Sequence, residues 1–220
     1  MRKLMPTLIP VLSTALLALP ALLALPAHAQ DAVATDGNTL TAAPTEWLGD
    51  TPHFVMMGTL NGRTLDIQMT DIAAAEGVDE FAGKREYLPG DAGAFRYADF
   101  EVALKAAIGG VERSIELEFE NDDYATHPLP ASFALQGDTF PKGALAFLEI
   151  QQEWETAGVS VNDEVGGMTG NLMLSLDTGT ADDKGLRADG LIGGYAVAEQ
   201  GGETVIISFT VPVAEYEIDG

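Results

Sequence analysis

Two stretches of the chain gather side chains that could do chemistry. Asp177, Asp182 and Asp183 lie on the run Asp177-Thr178-Gly179-Thr180-Ala181-Asp182-Asp183-Lys184-Gly185. Closely spaced carboxylates on a Gly-containing loop suit a hard, oxygen-seeking cation, so calcium is the ion expected here. The spacing is not that of an EF-hand: Gly179 and Ala181 stand where side-chain oxygens belong, and the twelfth position is Ala188. An acidic hairpin loop would have the same composition with no ion. The second stretch is Asn121-Asp122-Asp123-Tyr124-Ala125-Thr126-His127-Pro128. There Asp122, Asp123 and His127 could form an acid–base cluster or a second cation site, while Asn, Asp and Pro also serve turn geometry.

A third pattern is a row of carboxylates. Glu116, Glu118 and Glu120 alternate with Ile115, Leu117 and Phe119. On a strand this places the glutamates along one face at about 6–7 Å intervals. Carboxylates at such separations can run glycoside hydrolysis. Alternation with an apolar set more simply describes a solvated sheet face, and the same holds for Glu149 and Glu153. Asn162-Asp163-Glu164 is a weaker acidic cluster.

Other chemistries lack their residues. The chain has no cysteine, which removes disulfides, thiolate nucleophiles and thiolate metal ligands. It has three histidines, one of them His28 in the leader. A serine triad would have to use His53 or His127, and His53, beside Pro52 at a strand entry, reads as a surface or packing residue. There is no phosphate loop, no His-Glu-x-x-His helix and no Gly-x-Ser-x-Gly elbow.

Residues 1–29 read as a secretory signal peptide. Arg2 and Lys3 precede an apolar run from Leu4 to Leu25, and Ala27-His28-Ala29 offers a cleavage site, so a mature chain begins at Gln30. The expected location is therefore periplasmic or extracellular. Without Arg2 and Lys3, 9 basic residues face 34 acidic ones, a balance of −25. That field disfavours nucleic acid and anionic headgroups and favours a cationic or envelope partner. No integral membrane segment is expected after cleavage.

The elements that must position these residues are strands. Residues 30–46 read as a flexible linker and 47–220 as a single β-rich domain starting near Trp47. Phe54–Leu60, Asn61-Gly62 and the alternating 64–70 form a hairpin. Further strands are expected at 100–108, where a nine-residue helix between Asp99 as N-cap and Gly109 as C-cap is the alternative, at 114–120, around 132–135, and at 145–154, 172–176, 191–198 and 204–213. Asn121–Gly143 reads as a loop around the short strand. Gly109-Gly110 and Gly201-Gly202 are expected at turns, Gly193-Gly194 at a bulge, and Pro212 at an edge or an end of pairing. Residues 71–80 break the pattern with a possible helical turn, and 84–94 reads as a loop. The class is all-β and mostly antiparallel, with at most short helical insertions. A β-sandwich fits better than an up-and-down barrel, because the insertions at 71–94 and 121–143 do not suit a regular meander.

The functional expectation is a secreted, acidic cell-envelope domain that binds or supports and does not catalyse. No cofactor is expected beyond the calcium candidate. Two alternatives are a carboxylate-based hydrolase of an envelope polymer and a lipocalin-like carrier of a small apolar ligand.

Overall fold

The computed structural model describes residues 49–90, 93–121, 124, 127–137, 141, 143–156 and 158–219. The leader, the linker, Trp47, Asp122 and Asp123 lie outside them. Alternation builds a strand wherever the sequence shows it. β1 (His53–Leu60) and β2 (Arg63–Met69) form the expected hairpin, with Asn61 and Gly62 at φ of 50° and 71°. β4 (Phe95–Ile108) and β5 (Val111–Glu120) form another across Gly109-Gly110. β6 (Ala131–Leu135), β7 (Leu145–Thr156), β9 (Thr169–Asp177), β10 (Leu191–Gln200) and β11 (Glu203–Ile218) fall where expected.

Two strands depart from the sequence expectation. Residues 84–89, read as loop, belong to β3 (Val78–Pro89), and 162–164 lie on β8 (Val159–Gly166). In β3 the buried positions are Gly83, Arg85 and Tyr87, so a glycine and an arginine stand where alternation would show apolar residues. β8 is an edge strand that pairs only with β7 and buries only Val161 and Val165. Between β2 and β3 the helical turn shrinks to a 3₁₀ turn at Ile72–Ala74, capped by the Asp71 side chain.

The eleven strands make two facing layers. One holds β2, β1, β11, β10, β9 and β6; the other holds β3, β4, β5, β7 and β8. β11 joins them by pairing with β1 and β10 up to Thr210 and Pro212, then running parallel to β3 from Val213. Pro212 sits at this transfer, where the loss of an N–H costs least. β7 makes the second junction, pairing in parallel with β6 at its start and antiparallel with β5 beyond. The expected sandwich is thus what forms, in a mixed sheet whose order departs from the meander of an up-and-down barrel.

The space between the layers is filled. Phe209 of β11 packs 5.4 Å from Phe119 and 5.9 Å from Phe100, which are stacked on each other at 4.7 Å. Phe54 meets Phe81 edge-on at 6.4 Å. Such ring pairs add to the burial of large apolar area. The expected bulge is present as a register shift between Gly193 and Gly194 against β9. A Cβ at Gly194 would lie 2.9 Å from the Met173 carbonyl oxygen and 3.0 Å from Phe209 Cζ. Gly194→Ala should therefore destabilise by about 1–3 kcal/mol, read from the urea midpoint. A midpoint unchanged from the parent would show that the bulge has room to spare.

Candidate functional site

Four strands of the second layer turn their polar positions outward in register. Lys105 of β4 lies beside Ser114 of β5, Glu153 of β7 and Asn162 of β8. Next along the strands come Ala103, Glu116, Gln151 and Glu164, then Glu101, Glu118, Glu149 and Gly166. Asp99 and Glu120 form a further row, with Glu86 of β3 beside Asp99 and Lys84 beside Glu101. The result is an acidic grid across five strands. Like charges directly opposite on a sheet repel, and several of these carboxylates are half-buried.

Its cations are few. Lys84 Nζ contacts Glu101 at 2.8 Å, Glu86 at 3.0 Å and Glu217 at 3.2 Å. Partial burial works against this ammonium, but the three carboxylates outweigh it and hold the group above its ordinary range. Lys105 pairs with Glu112 at 3.2 Å. Around Asp99 and Glu118 burial leads and repulsion adds to it. Burial, then Glu120, Glu86 and Glu118, push Asp99 up to about 8. Burial, then Glu120, Glu149 and Glu101, push Glu118 to about 7. Glu116, Glu118 and Glu120 are therefore not the simple solvated row expected from one strand.

The grid ends in an open groove of about 570 Å³ over β4, β5, β7 and β8. Its lining includes Lys105, Glu112, Ser114, Glu153, Trp154 and Asn162. Asn162 donates to Glu153 at 3.0 Å. The Arg113 and Arg63 guanidiniums lie 4.9 and 5.5 Å from the Trp154 ring centroid, and Arg63 pairs with Asp163 of the edge strand β8. These contacts link edge strands β2 and β8.

No protein-family model, curated protein or solved structure matches the chain.

In the acidic loop after β9, two of the three aspartates are engaged by arginines or by backbone amides. Asp177 Oδ1 accepts from Arg85 at 2.8 Å and Oδ2 from Arg187 at 2.7 Å. Asp182 Oδ1 accepts the amides of Lys184 and Leu186, at 2.8 and 2.9 Å. Asp183 is exposed. Among the described residues no group of three or more histidine or acidic side chains could hold a metal. Sequence reasoning missed Arg85, which is fully buried. Its guanidinium also donates to the carbonyls of Thr178, Arg187 and Asp189 at 2.7–3.0 Å. Tyr87 Oη accepts from the Arg187 amide at 3.0 Å, and Arg187 lies 5.5 Å over the Tyr97 ring. The only sequence signal for this lock was an arginine between two apolar-spaced positions of a misread strand.

His127 packs edge-on against Phe133 at 5.0 Å, and Phe133 against Tyr124 at 5.1 Å. It is the outer end of an aromatic chain that reaches Tyr97. His53 is buried, as a packing residue would be, with Nδ1 2.9 Å from the Thr51 carbonyl and Nε2 2.9 Å from Ser208 Oγ. A carbonyl only accepts, so Nδ1 carries the proton and the Ser208 hydroxyl donates to Nε2. That is the hydrogen-bond sense of a serine nucleophile and its base, yet Ser208 has no exposed surface for an acyl group to approach.

Proposed function

We propose that this protein is an exported cell-envelope domain that binds and does not catalyse, and that a cationic partner docks on the outer face of its second layer. The observation that carries the reading is the in-register carboxylate grid on β3, β4, β5, β7 and β8, with Lys84 and Lys105 as the lysines among its rows. Cations approaching such a face relieve repulsion already present in the free protein, so docking and stability gain together. The groove beside Trp154 adds a concave seat at one end. No helix among the described residues is long and apolar enough to cross a membrane.

The test uses a fluorescent lysine decamer as the cationic probe at pH 8.5, in low and moderate salt. Glu118→Gln/Glu149→Gln should weaken binding about tenfold. Asp183→Asn/Glu199→Gln, which removes two charges elsewhere, should change it less than about twofold. Equal losses would mean that net charge alone attracts the probe and that the face has no special role.

A carboxylate-based hydrolase is the second reading. It is favoured by one feature: Glu118 lies directly between Glu101 and Glu149, so a protonated acid neighbours two other carboxylates. The purified protein should be screened against envelope polysaccharides, peptidoglycan and esters beside Glu118→Gln and His127→Ala. Turnover lost in one of these variants would replace the binding reading with an enzyme sited at that residue.

A further inference from the structure

We infer that the acidic face is proton-gated, holding a cationic partner at mildly alkaline pH and releasing it as the environment turns mildly acidic. The inference rests on the docking reading above and concerns how that same face is regulated.

The geometry comes first. Glu118 faces Glu101 from β4 and Glu149 from β7, with Glu116 and Glu120 on its own strand. Its field also includes Glu86 of β3. Asp99 faces Glu86 from β3 and Glu120 from β5 and lies in the field of Glu118 and Tyr124, while the Asn121 amide donates to it and favours its charge. The nearest cation in the grid, Lys84, is engaged by Glu86, Glu101 and Glu217. Gln151 donates to Glu149 at 2.9 Å. Two half-buried carboxyls thus stand among carboxylates, and the closest ammonium is committed elsewhere. Carboxylates placed so closely cannot all ionise at little cost, and the most crowded ones keep a proton into the neutral range.

The raised affinity of Asp99 and Glu118 for protons, to about 8 and about 7, agrees with this arrangement. The sign of the effect on stability follows. Between the ordinary carboxyl range near 4 and the folded values, the folded chain holds more protons than the unfolded one. Stability in the absence of a partner therefore falls as pH rises through that window, and levels off above about 8. A bound cation restores it, because it takes the place of the lost protons. Protons and partner compete for the same face, and the competition lies in the range where an exported protein meets changes of acidity.

The experiment has three readouts on the full chain. Carboxyl ¹³C shifts are followed from pH 4 to 9 and assigned with Asp99→Asn and Glu118→Gln. Both groups should titrate above pH 6; midpoints below 5 would overturn the inference whatever the probe does. The melting temperature without probe should fall from pH 6 to 8.5, and Asp99→Asn/Glu118→Gln should flatten that fall. An equally steep fall in the double variant would also overturn it. Affinity for the lysine decamer at fixed ionic strength should drop about tenfold from pH 8.5 to 6, and the double variant should bind weakly with little pH dependence. Binding that is strong and equal at both pH values would remove the gate but leave the docking reading intact. Binding at neither pH, with the neutral-range titration confirmed, would remove the docking reading and with it the release of a partner.

Discussion

Arg85→Ala should destabilise the fold by about 3–5 kcal/mol, enough to consume much of the stability of a domain this size. The guanidinium has no exposed surface and donates to Asp177 and to the carbonyls of Thr178, Arg187 and Asp189. Its removal takes a donor from each of those acceptors and leaves a cavity beside β3. It also frees the loop after β9 at both ends, since Thr178 opens that loop and Asp189 closes it. Trypsin should then cut after Lys184 and Arg187 at protein concentrations where the parent resists. Arg85→Lys keeps the charge but loses the planar fork that reaches several acceptors, so it should rescue only part of the loss. A urea midpoint within error of the parent for Arg85→Ala would mean that the loop is held by other contacts.

Leu117→Asp should be as damaging, and the neighbouring Glu118→Gln should not. Leu117 lies between Val102 and Ile150, and none of the three has exposed surface. An aspartate there meets no partner, and several kcal/mol follow whether it stays charged or takes up a proton. One residue later the side chain is on the opposite face, among carboxylates. Glu118→Gln removes like-charge contacts and should leave stability at pH 8.5 unchanged or raise it by roughly 0.5 kcal/mol. Denaturation of both variants at that pH decides the matter. Similar losses would show that the two faces of β5 are not as distinct as described.

These two positions also show what the sequence could reveal. The alternation at 114–120 fixes which face of β5 is buried, because period-two patterning is local. The hairpin at Asn61-Gly62 and the bulge at Gly193-Gly194 are legible for the same reason: each is dictated by a few adjacent residues. β3 was hidden because Gly83 and Arg85 occupy its buried positions. A buried arginine is recognised only through its acceptors, and these lie about a hundred residues away. β8 was hidden because an edge strand has little to bury. The acidic face was visible as one row on β5 but not as a grid, since the grid depends on the register of neighbouring strands. Asp177 drew notice for its carboxylate, whereas the two arginines that use it are set by tertiary packing.

The transfer of β11 from one layer to the other has a consequence in time. β11 is the last strand among the described residues, yet it pairs with β1, β3 and β10. His53 and Ser208, joined across the β1–β11 seam, are 155 residues apart in sequence. A chain emerging amino end first can form the β1–β2 and β4–β5 hairpins early, because their partners are adjacent. It cannot join the two layers through β11 until that strand emerges. Long-range closure of this kind slows folding and leaves strand edges open meanwhile. Hairpins made early and a seam made late would leave this junction between the two layers open until β11 is free to bridge them.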